Sequence, residues 1–144
     1  MGLFDGLSTS TSGLVANRLW LDVIANNIAN ANTTRTPQGG PYRREQVVLG
    51  TAPSSSFSSA LSAASGQVPG AGVQVQGIVQ DPSPFKLVYD PSNPDAVNGY
   101  VQMPNVDVST EMIDMITASR AYEANVTAFN ASKQVDVQSL QIGK

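Results

Sequence analysis

Residues 109–143 read STEMIDMITASRAYEANVTAFNASKQVDVQSLQIG and predict one long helix. The stretch contains no proline, and its only glycine is its last residue, so the backbone gives no reason for an earlier stop. Ser109 is placed to cap the helix, and Glu111 lies in the first turn, where the helix dipole favours a negative charge. At about 1.5 Å per residue the helix is about 50 Å long, so its apolar side needs a partner.

Two columns of residues recur every seven positions along this helix, which is the spacing of a coiled coil. The first column contains Met112, Ser119, Val126, Lys133 and Leu140. The second contains Met115, Tyr122, Phe129 and Asp136. We expect the apolar members of both columns to form a seam against another helix.

The N-terminal part of the chain supplies a candidate for that helix. A second helical pattern extends from Ser8 to about Asn32, with one apolar column at seven-residue spacing and companions beside it. The residues concerned are Leu7, Leu14, Leu21 and Ile28, with Ile24 and Ala31 at the companion position. A further column of Val15, Leu19 and Val23 makes the apolar face wider than a two-helix seam requires, which indicates more than one neighbour.

Asparagine is concentrated at the end of this first helix, although it is a mediocre helix former. The residues are Asn26, Asn27, Asn30 and Asn32. Asn26 and Asn30 share one face, and the small residues Ala25 and Ala29 allow another helix to approach closely. The alternative is a frayed helix end ahead of Pro37, which accounts for Asn32 but not for Asn26 or Asn27.

The middle of the chain changes to an alternating pattern that predicts strands. We predict a strand at residues 42–49 and a hairpin whose strands, residues 73–78 and 85–89, flank a turn at residues 81–84. Gly77 changes the parity of the alternation, which indicates a β-bulge. Residues 54–70, rich in Ser and Ala, predict a flexible loop.

Composition excludes several classes of function. The net charge is −3 and the basic residues are scattered, which argues against binding to nucleic acid or to an anionic membrane. No apolar run is long enough to span a bilayer, and the N-terminus lacks the basic and apolar regions of a secretory signal. We therefore expect no membrane insertion and no cleaved signal peptide.

The chain also lacks the residues that most catalytic and metal sites use. It contains no His and no Cys, so catalysis would have to depend on carboxylates. Glu111 and Asp114 are three residues apart but are expected near solvent, and Arg43 to Glu45 is expected to be a solvated face. Residues 90–95 lack the ligand spacing of a calcium loop and predict a turn. We expect no catalytic, cofactor-binding or metal-binding residues.

The first-helix stretch ANNIANANT at residues 25–33 resembles the N-terminal signature of the axial proteins of the bacterial flagellum, the rod and hook family. Three further stretches are similar to the proximal-rod members of that family. They are GGPYRR at 39–44, GYV at 99–101 leading to MPNVDV at 103–108, and EMIDMI at 111–116 continuing as ASRAYEANV at 118–126.

The resemblance implies a structural subunit of the proximal rod, a self-assembling helical drive shaft that transmits motor torque to the hook and filament for motility. It implies a position in the periplasmic part of the basal body, reached through the flagellar type III export apparatus. The implied partners are further copies of the chain, the rod proteins FlgB, FlgF and FlgG, the adaptor FliE and the MS ring.

The sequence thus predicts an α+β fold in which two long terminal helices form an antiparallel coiled-coil-like pair and bracket a small β-rich insertion. The predicted segments are residues 1–35, 36–105 with the flexible loop at 54–70, and 106–144. Residues assigned to assembly in the first helix are Leu14, Leu21, Ile24, Asn26, Asn27, Ile28 and Asn30. Those in the last helix are Met112, Met115, Arg120, Tyr122, Asn125, Val126 and Phe129.

Two other functions stay open at this point. A soluble helical adaptor or chaperone would bind partner helices without polymerising and would remain a discrete species at all concentrations. A wall-cutting hydrolase would need an acid in a cleft, and no stretch of the sequence supplies a convincing pair of carboxylates.

Overall fold

The computed structural model describes residues 5–52 and 72–142, with two helices and four strands in that part of the chain. The predicted flexible loop at 54–70 lies outside the described residues. The elements, in order, are α1 Asp5–Ala29, β1 Glu45–Thr51, β2 Val73–Gln80, β3 Lys86–Tyr89, β4 Tyr100–Met103 and α2 Val108–Ile142. The order confirms the prediction of terminal helices that bracket a small β-rich region.

The N-terminus of α2 is capped by Asp107 rather than by Ser109. The Asp107 side chain accepts a hydrogen bond from the backbone N–H of Ser109 at 3.0 Å, and its carbonyl accepts one from Glu111 at 2.9 Å. This is the geometry of an N-cap residue. The helix therefore begins one residue earlier than predicted, at Val108.

The C-terminus of α1 is closed by the asparagines. The Asn30 backbone N–H and side-chain amide both donate to the Asn26 carbonyl, at 3.0 and 2.9 Å. Two tighter turns follow, from Ala31 to Ile28 and from Thr33 to Asn30. The helix ends at Ala29, three residues before the predicted limit, because these turns replace its last hydrogen bonds.

Strands β1 and β2 pair with each other in a two-stranded sheet. Hydrogen bonds from Asp81 to the Arg44 carbonyl and from Ala52 to the Gly72 carbonyl show that the pair is antiparallel. Between these bonds β2 has eight residues and β1 has seven, so β2 carries one residue more, as a bulge requires. Its position at Gly77 stays a prediction.

Strands β3 and β4 form the second antiparallel pair, with Tyr89 opposite Tyr100. A two-residue turn at Asn98 and Gly99 leads into β4, and both residues have positive φ, 53° and 80°, as a type I′ turn requires. The predicted hairpin of residues 73–78 with 85–89 is therefore wrong. Both segments are strands, but each pairs with a more distant segment.

The chain divides into two compact units, and the first comprises residues 1–18, 48–77 and 119–144. In this unit α1 and α2 are antiparallel. Gly6 lies beside Ser132, and Gly13 lies beside Asn125. From the first contact to the second, the position rises by seven residues along α1 and falls by seven along α2, as antiparallel helices require. A Cβ atom at Gly13 would lie only 2.9 Å from Asn125 Nδ2, so the lack of a side chain lets the helices approach closely.

The second unit comprises residues 19–47 and 78–118. Its buried apolar side chains come from α1, from β4 and from α2 with the segment before it. They are Val23, Ile24, Val101, Val106 and Ala118. In this unit the end of α1 again meets the start of α2, so the pair is antiparallel here too. No helix in the described residues is long and apolar enough to cross a membrane.

Candidate functional site

A buried carboxylate lies at the centre of the second unit. Glu111, in the first turn of α2, is only 1% exposed, and both of its oxygens accept hydrogen bonds. We use the name Glu111 cluster for this residue and the polar side chains linked to it directly or through one partner. The linked residues are Asn27, Tyr42, Arg44, Asp81 and Asp114.

Asn27 connects α1 to the cluster and uses its whole hydrogen-bonding capacity. Its amide nitrogen donates to Glu111 Oε2 at 3.0 Å and to the Glu45 carbonyl at 2.8 Å. Its amide oxygen accepts from the Tyr42 hydroxyl and from the Glu45 backbone N–H, both at 2.9 Å. A side chain that is 1% exposed and fully satisfied in this way fixes the end of α1 against the chain that enters β1.

Arg44 is the only cation in the Glu111 cluster and contacts three carboxylates. Its Nε donates to Glu111 Oε1, its Nη2 donates to Asp114 Oδ2 at 3.2 Å, and Asp81 Oδ2 lies 3.9 Å from Nη1. The side chain is 20% exposed, so solvent screens these pairs little. A planar guanidinium suits this arrangement because it presents several donors in a fixed geometry.

The turn that carries Asp81 is held by a second set of hydrogen bonds. The Asn105 amide accepts from the Arg44 backbone N–H and donates to the Asp81 carbonyl, at 2.8 and 3.2 Å. The hydroxyl and backbone N–H of Ser83 both donate to Asp81 Oδ1. These two bonds, together with the nearby Arg44 and Arg43, hold the pKa of Asp81 below its ordinary value of 3.8.

Tyr42 is the member of the Glu111 cluster that is both neutral and titratable. Its hydroxyl donates to Asn27 and accepts from the Asn26 side chain at 3.3 Å. Burial, followed by the negative charges of Glu45 and Glu111, raises the pKa of Tyr42 from 10.0 to about 12. The phenol therefore remains a hydrogen-bond donor throughout the physiological range of pH.

Two predictions about these residues were wrong. Glu111 was expected near solvent but is buried, and Arg44 was expected on a solvated face but is the partner of that buried carboxylate. The bonds that satisfy Glu111 come from residues 84 and 67 positions away along the chain. A local pattern cannot show such partners, and the one available signal was that both residues lie in the motifs that resemble the flagellar proteins.

Comparison with known proteins identifies the chain. A family model described as flagella basal body rod protein matches residues 7–35, and one described as flagellar basal body rod FlgEFG protein C-terminal matches residues 97–142. The flagellar basal-body rod protein FlgC of Bacillus subtilis is 47% identical, with all of both chains covered. The chain belongs to the FlgC family.

Other FlgC proteins are similarly related. FlgC of Borreliella burgdorferi is 45% identical, with 99% of this chain and 98% of that protein covered. FlgC of Salmonella typhimurium is 41% identical over the whole of both chains. This member of the FlgC family is therefore a structural subunit of the flagellar basal-body rod.

The two family models contain complementary parts of the Glu111 cluster in this FlgC-family chain. Asn27 lies in the first matched region, while Glu111 and Asp114 lie in the second. Tyr42, Arg44 and Asp81 lie between the two regions. The cluster therefore links the two rod-family segments directly, through the bond from Asn27 to Glu111, and also through residues that neither family model includes.

The predicted assembly residues of α1 lie mostly on its covered side. Ile24 and Asn27 are buried. Leu14, Leu21, Ile28 and Asn30 are half-buried, while Asn26 is exposed. Whether any of these residues contacts another subunit stays a prediction.

Within the chain, the buried side of α2 is displaced by one residue from the first predicted column. Met112 is 53% exposed, and the column that faces inward is Glu111, Ala118, Asn125 and Ser132. Met115, Val126 and Phe129 are half-buried, while Arg120 and Tyr122 are exposed. The seven-residue spacing places Met112 in the seam, but small and polar residues occupy the buried side, where the helices approach closely and polar partners are available.

The shift leaves an apolar surface on the outside of α2. Met112 is joined there by Ile113, which is 64% exposed, and by Ile116, which is 56% exposed. A second exposed surface lies on the β3–β4 pair, where the rings of Tyr89 and Tyr100 make an edge-to-face contact at 5.3 Å. Exposed apolar surfaces of this kind mark sites of protein association.

Proposed function

We propose that this rod subunit assembles through its terminal helices into the proximal rod, a helical shaft that transmits motor torque to the hook and filament. The observation that carries the proposal is the exposed apolar surface of α2 at Met112, Ile113 and Ile116. A helix covered on one side and apolar on the other gains stability when a further helix covers it. Repeated contacts between unlike surfaces of identical chains generate a helical array.

We propose no catalytic role for the chain. The carboxylates of the Glu111 cluster are engaged by Arg44, and Asn27 also binds Glu111. A general acid or base needs an unengaged group beside a space for substrate, whereas these contacts serve the structure. The titratable groups of the Glu111 cluster are thus positioned to fix the helices.

The proposed partners are other subunits of the same assembly. They comprise further copies of this chain, the rod proteins FlgB, FlgF and FlgG, the adaptor FliE and the MS ring. We propose a position in the periplasmic part of the basal body, reached through the flagellar type III export apparatus. The proposed segments are residues 1–35 and 106–144 for the axial helices and 36–105 for the insertion.

Far-UV circular dichroism and sedimentation velocity on the purified full chain test the proposal. Over a wide range of concentration, or on addition of the other rod proteins, we expect both helicity and sedimentation coefficient to rise. Helices with an uncovered apolar side are marginal in isolation, so association stabilises them. A fully helical monomer that never associates would instead support a soluble adaptor.

A further inference from the structure

The outer side of α2 carries charges next to its exposed apolar residues. Ile113, Ile116, Arg120 and Glu123 recur at intervals of three or four residues, so they lie on one face of the helix. All four are exposed, whereas Glu111 and Ala118, on the opposite face, are buried. This outer face of α2 therefore has an apolar half followed by a positive and then a negative residue.

The outer side of α1 carries a matching pattern. Arg18, Asp22, Ala25 and Ala29 share one face at intervals of four, three and four residues, and all four are exposed. Val23, Ile24 and Asn27 are buried on the other side of the helix. This outer face of α1 has a positive and then a negative residue, followed by two small side chains that leave room for large ones.

The four charged residues on these faces have no ion-pair partners among the described residues. The ion pairs of that part of the chain involve Arg35 and Arg44 as the cations, with Asp81, Asp95, Glu111 and Asp114 as the anions. Arg18 and Asp22 on α1, and Arg120 and Glu123 on α2, are therefore available to a partner.

The spacings of the two faces agree when the helices are antiparallel. If Asp22 lies opposite Arg120, then Ala29, seven residues later, lies opposite Ile113, seven residues earlier. Ala25 then lies opposite Ile116, and Arg18 opposite Glu123. Both charge pairs have opposite signs, and both alanines face a large apolar side chain.

The two faces cannot meet within one chain, because α1 and α2 contact each other through their opposite, buried sides. We propose that the outer face of α2 in one copy of this chain packs antiparallel against the outer face of α1 in a second copy. Asp22–Arg120 and Arg18–Glu123 form the ion pairs of this contact, and Ile113 and Ile116 pack over Ala29 and Ala25. The contact rests on the proposed function and specifies its partner as an identical chain.

The contact joins unlike surfaces and therefore leaves one copy of each face free at the ends of a pair. Within one chain, α1 and α2 run in opposite directions. If α2 of one copy also runs opposite to α1 of the next copy, the α1 helices of both copies run the same way. All copies in an array can therefore have the same direction. Such a contact extends a ring or a helical array, whereas a two-fold contact would stop at a dimer.

Charge reversal tests the contact in a bacterial strain whose own gene for this rod protein has been deleted and is replaced by the variant. Asp22→Arg and Arg120→Asp each turn an attraction into a repulsion, which we expect to weaken each contact about tenfold and to reduce swimming. Co-expression of the two variants should restore swimming. In an array where the two variants alternate, every contact again brings one positive and one negative side chain together at positions 22 and 120.

Three controls make the outcome decisive. Arg35→Asp, a reversal of an exposed charge outside both helices and outside the β3–β4 pair, should leave swimming unchanged, and circular dichroism should show that each single variant folds as the parent does. Normal swimming of either single variant would overturn the contact, as would co-expression that restores nothing. Failure of the unchanged chain to restore swimming would instead contradict the proposed function.

Discussion

At the scale of single residues, Arg44 has the largest electrostatic role in the described part of the chain. It balances a buried carboxylate and two half-buried ones, and its backbone N–H is held by Asn105. A buried ion pair adds little net stability compared with apolar residues of the same size, but the removal of one partner leaves the other charge uncompensated. The cluster therefore adds structural specificity and makes the fold sensitive to substitution at Arg44.

We expect Arg44→Met to lower the free energy of unfolding by about 3 kcal/mol, because Glu111 would remain buried without its cation. Urea unfolding followed by circular dichroism measures the change. Lys86→Met is the control, since Lys86 is exposed and makes no ion pair in the described residues, and it should change stability by less than about 0.5 kcal/mol. Equal losses in the two variants would show that Glu111 does not depend on Arg44.

Tyr42 gives the fold a specific response to alkaline pH. Its pKa is raised from 10.0 to about 12, so between these values the folded state holds a proton that the unfolded state has lost. The contribution of Tyr42 to stability is therefore complete below pH 10 and is lost as pH rises toward 12.

Tyr42→Phe should remove this part of the alkaline loss of stability. Urea unfolding at a series of pH values between about 9 and 12 measures the slope for the parent and the variant. Tyr122→Phe leaves the Tyr42 phenol in place and should keep the parent slope. A parent slope that survives in Tyr42→Phe would mean that other groups cause the loss.

At the scale of elements, the helices were the most predictable part of the fold. Their heptad spacing and the lack of internal breaks in α2 gave its limits to within one residue. The direction of the pair was also predictable. Which residues face inward was not, because the choice between Met112 and Glu111 depends on Arg44 and Asn27, which meet Glu111 only in the folded chain.

The strands were less predictable for a related reason. Alternation identifies which residues share a face of a strand, but it contains no information about the partner strand. The turn at Asn98 and Gly99 carries a strong local signal for a tight hairpin, yet the prediction relied on the prolines at 82 and 84. The result was a hairpin between β2 and β3 in place of the β3–β4 pair.

The start of α2 allows a direct test of the capping residue. Asp107→Ala should lower the free energy of unfolding by about 1 kcal/mol, because the backbone N–H of Ser109 loses its acceptor. Thermal unfolding should show a decrease of about 3 °C in Tm. Ser109→Ala should lower the free energy of unfolding by less than half as much. A larger loss for Ser109→Ala than for Asp107→Ala would show that Ser109 is the cap.

At the scale of the whole molecule, the proposed assembly makes function depend on the apolar side of α1. We expect Leu21→Asp to abolish swimming, because a charge on the half-buried seam prevents incorporation of the subunit into the rod. Complementation of a strain without the gene, scored on soft agar, measures the effect. Leu21→Met conserves the apolar volume and should swim as the parent does. A full-length rod containing Leu21→Asp subunits would contradict the role of Leu21.

The carboxylate of Glu111 also sets the order in which the chain can fold. Its bonds to Asn27 and Arg44 close loops of 84 and 67 residues, and the entropy of loop closure is lost before those bonds contribute any stability. During synthesis, Asn27 and Arg44 leave the ribosome long before Glu111 does. The newly made chain therefore cannot form these central polar contacts until Glu111 has been made, so the second unit completes its fold late in synthesis.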